Sequence, residues 1–123
     1  MPQKLCILLV DDEPEIVELV GVRLRALGYQ VLVAMDGEEA LAQAFAQHPD
    51  LIILDVMLPT MDGYRVCSQL KRDVRTQKIP IVMFTAKTQG KDVIHSAECG
   101  ADAFVGKPFK PEELVDAIQR LTN

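Results

Sequence analysis

Leu51-Ile52-Ile53-Leu54-Asp55-Val56-Met57-Leu58-Pro59-Thr60-Met61-Asp62-Gly63 is the stretch that decides the fold. Its four leading aliphatic residues run without a polar interruption and stop at a carboxylate. A short apolar run with turn signals behind it reads as a strand buried on both faces, the kind found in parallel sheets. Asp55 then stands at the carboxyl end of that strand, the edge where open α/β sheets bind their ligands. Pro59 stops the strand from continuing, and Asp62-Gly63 suits a turn or a helix N-cap. Taken alone, Asp55 could equally be a plain strand terminator. The rest of the chain decides between the two.

The same kind of element recurs on both sides. Leu5 to Val10 is a first buried strand, stopped by Asp11-Asp12-Glu13-Pro14. Asp12 is placed to cap the next helix, with Glu13 and Glu15 in a first turn where acidic groups favour the helix dipole. Pro14 is tolerated there because its missing N–H would have no partner anyway. Ile16, Val17, Val20, Leu24 and Leu27 recur at helical spacing, and Gly28 suits the C-cap. Gln30 to Ala34 is a second strand. Asp36 followed by Glu39 resembles a capping pair, and Ala40, Leu41, Ala44 and Phe45 give the second helix its apolar face before His48-Pro49-Asp50 closes it.

Beyond the central strand, Tyr64, Cys67 and Leu70 line a third helix. Pro80 to Phe84 is a fourth strand, ending at Thr85. Lys91 to Glu98 is the weakest helix, with few good formers, and Gly100 stops it. Ala103 to Val105 is a fifth strand leading to Lys107-Pro108, and Pro111 opens a last helix carrying Leu114, Val115, Ile118 and Leu121. Strands alternating with helices imply parallel pairing through right-handed crossovers. The expected fold is α/β: a doubly wound five-stranded parallel sheet with five helices on its two faces.

Composition narrows the class. At 123 residues the chain reads as one domain, 1–123, and 49% hydrophobic with 25% charged residues describes a globular protein. No apolar run reaches membrane-span length, and Leu5 to Val10 is too short for a signal peptide. Cys6, Cys67 and Cys99 form no CxxC and have no accompanying His cluster, so they read as reduced thiols of a cytoplasmic protein rather than a metal site or disulfide framework. A formal net charge of -5 argues against nucleic acid as a direct partner. Lys71, Arg72, Arg75 and Lys78 read as a solvated helix end. Met57, Met61 and Met83 read as core or loop filling, and His48 and His95 fall in no shared motif.

The polar residues worth attention all lie at strand ends. Asp11 and Asp12 follow the first strand, Asp55 ends the third, Thr85 follows the fourth and Lys107 follows the fifth. In a parallel sheet these ends share one edge. Singly, the aspartates could be helix caps, Thr85 a strand terminator and Lys107 a surface lysine; their convergence argues for a site. Gathered carboxylates repel one another unless a cation is present, and a hard divalent ion bound by oxygen, Mg2+ above all, resolves the conflict. Metal, the Lys107 ammonium and the Thr85 hydroxyl together suit the oxygens of a phosphoryl group in transfer. Asp55, central among them, is the candidate nucleophile, forming an aspartyl phosphate.

These motifs resemble, over essentially the whole chain, the receiver domain of two-component response regulators, the CheY-like family. The match rests on Val10-Asp11-Asp12-Glu13, Leu54-Asp55 through Pro59 to Asp62-Gly63, Phe84-Thr85-Ala86, and Gly100-Ala101-Asp102 through Lys107-Pro108-Phe109. The resemblance implies a flavodoxin-like strand order 2-1-3-4-5. It implies that Asp55 accepts a phosphoryl group from a sensor histidine kinase or histidine phosphotransfer protein. It implies Mg2+ held by Asp12, Asp55 and the backbone carbonyl of Met57, with Asp11 acting through water. Thr85 would hydrogen-bond the phosphoryl group, Lys107 would pair with it, and the Lys107-Pro108 bond would be cis.

The family also has an aromatic switch residue three positions before this lysine, here Phe104 where many relatives carry Tyr. On phosphorylation Thr85 and Lys107 would be drawn inward and Phe104 would follow, changing the face formed by the fourth helix, fifth strand and fifth helix toward a downstream partner or output domain. A phosphorylation-dependent homodimer is compatible with such a switch. Ala103 and Ala117 stand where the OmpR-like branch carries an Asp and an Arg for dimer salt bridges. The segment from Val66 to Asp73 and on to Ile79-Pro80 looks more like DivK- and PleD-type receivers. A stand-alone receiver with no output domain, a phosphoacceptor rather than a turnover enzyme, is therefore expected. A haloacid-dehalogenase-like phosphatase would place its Asp on the first strand and need an acid where Met57 stands. A flavodoxin-like carrier would be repelled by the acidic loop after the first strand. An interaction module independent of phosphorylation would not need every motif residue.

Overall fold

The computed structural model describes residues 5–59, 61–85, 100–106 and 110–122, with Thr85 and Pro111 described by their backbone. At its centre is β3 (Leu51–Asp55), buried along its whole length as its aliphatic run requires. On one side lies β1 (Cys6–Val10) and beyond it β2 (Gln30–Ala34). On the other lies β4 (Ile81–Thr85) and beyond it β5 (Ala103–Gly106). The order is β2-β1-β3-β4-β5 with every pairing parallel, the doubly wound arrangement expected from the alternation of elements.

Successive strand residues point to opposite faces, so a sheet covered on both sides needs apolar residues at every position. Leu8, Val10, Ile52, Leu54 and Met83 pack against α2 (Gly37–Gln47) and α3 (Gly63–Arg72) through Ala40, Ala44, Val66, Cys67 and Leu70. Their alternates Ile7, Leu9, Leu51, Ile53, Val82 and Phe84 pack against α1 (Pro14–Ala26) and the C-terminal helix (Pro111–Thr122) through Val20, Leu24, Leu114, Ala117 and Ile118. Each fully buried aliphatic side chain contributes about 1.5–3 kcal/mol, so these two layers drive the fold. Among the described residues, Phe84 is the largest fully buried side chain.

Asp36 and Asp62 cap α2 and α3 as their sequence positions suggested, accepting from the N–H groups of Glu39 at 2.8 Å and Arg65 at 2.9 Å. Gly28, with φ +96°, follows the C-cap Leu27 and turns the chain toward β2. Asp12 is not a cap. The N-cap of α1 is Glu13, with no side-chain capping bond, and Pro14 at the first helical position removes one of the donors a cap would serve. The Glu13 carbonyl takes the N–H groups of Ile16 and Val17 instead, both at 3.1 Å. Leu27 is exposed rather than part of the core, because the helix ends at Ala26 and the chain leaves the core-facing stripe there. The expected helix from Lys91 to Glu98, the Lys107-Pro108 bond, Cys99 and His95 lie outside the described residues.

Lys71 corrects a further expectation: it is no solvated lysine. Its side chain is 17% exposed and its Nζ lies 2.9 Å from Asp102 Oδ2. It also donates to the carbonyls of Ile79 at 2.7 Å and Gln77 at 3.3 Å. The same Asp102 Oδ2 accepts the Ile81 N–H at 2.8 Å, while the Asp102 N–H donates to the Ile81 carbonyl at 2.9 Å. One ion pair therefore ties the end of α3 to the first residues of β4 and β5. Arg75 pairs with Asp73 and lies over the Phe45 ring, 4.4 Å from its centroid. Hydrogen bonds from the Arg75 side chain and N–H hold the Asp73 carboxyl down at about 2. Arg72 and Lys78 are exposed, as expected. Cys67 is buried and Cys6 half-buried, and neither is in a disulfide; burial, with help from the Asp50 carboxylate, pushes the Cys6 thiol up. Among the described residues no helix is long and apolar enough to cross a membrane.

Replacing Lys71 by Met should leave the helix intact but strip Asp102 of its counter-charge and two carbonyls of a donor. A loss of about 1–2 kcal/mol is expected. Urea unfolding followed by circular dichroism measures it, and an unchanged midpoint would show that the pair contributes nothing.

Candidate functional site

β1 and β3 are parallel neighbours, and the register Val10 opposite Leu54 brings the residues that follow to the same edge. Asp11 leaves β1 where Asp55 closes β3. One carboxylate oxygen from each of Asp11, Asp12 and Asp55 lies within 4.8 Å of the other two. Asp11 is fully buried, Asp55 is 2% exposed and Asp12 is exposed, so the cluster has a closed floor and an open mouth.

Backbone hydrogen bonds hold the floor in place. The Asp11 N–H donates to the Ala34 carbonyl at 3.1 Å, and Asp11 Oδ1 accepts from the Glu13 N–H at 2.9 Å. Asp55 Oδ1 accepts from the Met57 N–H at 3.2 Å. The Val56 N–H reaches the Phe84 carbonyl at 3.0 Å, and the Gly63 N–H returns to the Val56 carbonyl at 2.9 Å. The loop after β3 is thereby folded onto the end of β4 and back against its own strand.

Gly63 is the residue whose role sequence reading understated. Its sequence position suggests a turn or cap; in the structure α3 begins here pressed against the backbone of Asp55. A Cβ on Gly63 would run into the Asp55 carbonyl oxygen and lie 2.8 Å from the Val56 Cα. The signal in the sequence was the Asp62-Gly63 pair itself: the helix needs the cap at one position and no side chain at the next.

Three carboxylates in mutual contact range are an all-oxygen, like-charged donor set. Such a set suits a hard divalent cation and offers no nitrogen or sulfur for a softer one. Met57 follows two residues after Asp55 with its side chain 72% exposed at the mouth. The backbone of Thr85 ends β4 opposite Gly106, one register step beyond the Asp55–Phe84 pair. Lys107, which follows Gly106, lies outside the described residues. Phe104 stands on β5 opposite Met83, 42% exposed. It borders a cleft of about 640 Å³ between β5 and the C-terminal helix, with Glu113, Asp116 and Arg120 on the helical side.

Residues 7–119 match the family described as the response regulator receiver domain. The chain belongs to this family, the signalling domains of two-component systems, whose members bind Mg2+ in an acidic cleft. It is 51% identical over 119 residues to the alkaline phosphatase synthesis transcriptional regulatory protein PhoP of Bacillus subtilis, covering 93% of this chain and 48% of that protein. Among solved structures it is similar to the chemotaxis response regulator CheY4 of Vibrio cholerae, with a TM-score of 0.91, 34% identity and coverage of 97% and 99% of the two chains. It is also similar to the receiver domain of the sensor histidine kinase PA1611 from Pseudomonas aeruginosa, with a TM-score of 0.90, 32% identity and coverage of 98% of each chain. That structure holds a magnesium ion coordinated in its active-site cleft. The chain spans about half the length of the curated relatives it matches. Those relatives are named as transcriptional regulators.

Gly63→Ala should displace the β3–α3 loop. A stability loss of about 1–3 kcal/mol is expected from the overpacking alone. Denaturant unfolding would measure it, and a wild-type midpoint would mean that the backbone yields at little cost.

Proposed function

We propose that this chain is the phosphoacceptor of a two-component pathway, receiving a phosphoryl group on Asp55 in a Mg2+-dependent step. The observation that carries the reading is the buried Asp55 carboxylate gathered with Asp11 and Asp12 at the carboxyl edge of the sheet. The donor is the phosphohistidine of a sensor kinase or phosphotransfer protein. A carboxylate oxygen of Asp55 attacks phosphorus, the P–N bond breaks, and the imidazole leaves to regain its proton.

Asp12 and Asp55, with the Met57 carbonyl, are the residues that would hold the metal, and Asp11 would act through water. When bound, Mg2+ supplies positive charge against the clustered carboxylates and the phosphoryl oxygens. The residues of the chain do the rest. The Met57 N–H orients Asp55, the nucleophile, by its bond to Oδ1. Burial on the floor of the cluster keeps bulk water from one side of the acyl phosphate. Thr85 would donate to the phosphoryl group and Lys107 would pair with it; in sequence the first ends β4 and the second follows β5. The group is accepted once and later lost, so the chain promotes only its own phosphorylation and dephosphorylation.

Added negative charge at Asp55 would draw Thr85 and Lys107 inward and turn Phe104 out of its exposed position. Phe104 has no hydroxyl, so packing alone must hold the new arrangement. The face bordered by β5 and the C-terminal helix then presents a changed surface to a partner or output domain. We read the whole chain as a single receiver unit that works in the cytoplasm, leaving any contact with nucleic acid to that partner.

Intact mass after incubation with acetyl phosphate tests the acceptor. One phosphoryl adduct should form with Mg2+, none without it, and none in Asp55→Asn; an adduct in the variant would move the acceptor elsewhere. The exposed Met57 side chain offers no hydrogen bond to an attacking water. Met57→Asn should therefore shorten the lifetime of the adduct, and equal decay would remove Met57 from the explanation. Phe104→Ala should still be phosphorylated while losing phosphorylation-dependent partner binding. Retention of that binding would refute a packing switch.

A further inference from the structure

Among the described residues the sulfur atoms are unequally protected. Met83 lies fully in the core, and Met35 and Met61 are half-buried. Cys67 is buried. Cys6 is half-buried, and its thiol, pushed up by burial and by Asp50, stays protonated and a poor nucleophile. Met57 is 72% exposed. A thioether needs no deprotonation to react with an oxidant, so access decides which methionine reacts first. By access, that residue is Met57.

The loop after β3 accounts for the exposure. Val56 is buried, and Leu58 and Met61 pack against the layer of core beneath α2 and α3. The Leu58 N–H bonds the Val56 carbonyl at 3.2 Å and the Met61 N–H bonds the Pro59 carbonyl at 2.7 Å, so the backbone around Met57 is tied down. The Met57 N–H itself donates to Asp55 Oδ1 at 3.2 Å. Its apolar neighbours turn inward, and Met57 is left outside at the mouth of the carboxylate cluster. An unbranched, freely rotating side chain can carry its sulfur across that mouth while the backbone stays fixed beside Asp55.

On the reading that Asp55 is the phosphoacceptor, we propose that Met57 is a redox modification site, and that its oxidation by a hydroperoxide shortens the life of the aspartyl phosphate. The thioether sulfur attacks one peroxide oxygen. The O–O bond breaks, an S–O bond forms, and an electron pair passes from sulfur to the peroxide. The proton of the transferred oxygen joins the departing hydroxide as water. The thioether is a weak acceptor, whereas the sulfoxide is polar and its oxygen accepts a hydrogen bond from water. A water held in this way at the mouth attacks phosphorus. The P–O bond to Asp55 breaks, the carboxylate is restored, and the proton of the water leaves with the phosphate. Because the sulfoxide is neutral, it adds no like charge to Asp11 and Asp12. A reductase dithiol reverses the change, releasing the oxygen as water while the dithiol closes to a disulfide.

Peptide mapping and intact mass on the whole chain test the proposal. The unphosphorylated chain is treated with limiting hydrogen peroxide, cleared with catalase, loaded from acetyl phosphate with Mg2+ and desalted. Mapping should place the first added oxygen on Met57, with the circular dichroism spectrum unchanged. The adduct on the oxidised chain should decay about two- to ten-fold faster than on the reduced chain, the range open to one hydrogen bond made to the attacking water. Methionine sulfoxide reductase with dithiothreitol should bring back the slower decay. In Met57→Leu, which has no sulfur at this position, peroxide treatment should leave the decay where it was. First oxidation at another sulfur overturns the proposal, as does equal acceleration in Met57→Leu. A reduced chain that forms no adduct would remove Asp55 as acceptor and this proposal with it. An adduct whose lifetime is the same with and without oxygen on Met57 removes this proposal alone.

Discussion

A carboxylate buried at the end of an all-aliphatic strand sets the terms for everything around it. Asp55 is 2% exposed, and an ionised group withdrawn from water is costly unless other groups supply what water did. The Met57 N–H supplies part of this directly. The parallel sheet, however, brings Asp11 and Asp12 to the same edge, which adds like charge. The arrangement is tolerable because two apolar layers hold the strands whatever happens at their ends, and because α3 starts at a glycine that can lie against the Asp55 backbone. The site is thus a local conflict held in place by a fold that does not depend on resolving it.

The opposite edge of the same sheet is built on the reverse principle. There Lys71 and Asp102 neutralise each other at 2.9 Å; Lys71 also donates to the Gln77 and Ile79 carbonyls, and Asp102 Oδ2 also accepts the Ile81 N–H. A charged pair tied to the backbone from both partners stiffens the segments it joins. Like charge is gathered at one edge and matched charge at the other, and the strand direction alone separates the two.

How much of this could be read from the chain follows from the range of each interaction. Strands β1 and β3 announce themselves because burial on both faces demands an uninterrupted apolar run, a local signature. The caps at Asp36 and Asp62 were legible for the same reason, each bonding an N–H three residues on. Asp12 looked like a cap by the same rule and is not one, because Pro14 relieved the helix of the donor. Lys71 was misread as solvated because its partner Asp102 is thirty-one residues away, and only the neighbouring of β4 and β5 brings the two together. The clustering of Asp11, Asp12 and Asp55 was inferable once parallel strands were accepted. What the sequence could not show is the depth of Asp55 and the closeness of Gly63 to it, which depend on how the loop after β3 folds back.

The contrast between the edges bears on β5, a strand of four residues. Its amino end follows Asp102, held by the ion pair and by two hydrogen bonds with Ile81. Its carboxyl end, Gly106, pairs with Thr85 at the acidic edge. A strand gripped at one end and loaded at the other cannot slide along its neighbour without breaking the grip. A change of charge at the site must therefore act on β5 as a tilt or twist about its amino end. Phe104 lies between the two ends, 42% exposed beside an open cleft, where side-chain rotation displaces no packed atoms from the core. A backbone motion too small to disturb the register can then become a change of surface at this residue. That conversion needs the anchored amino end as much as it needs the charged one.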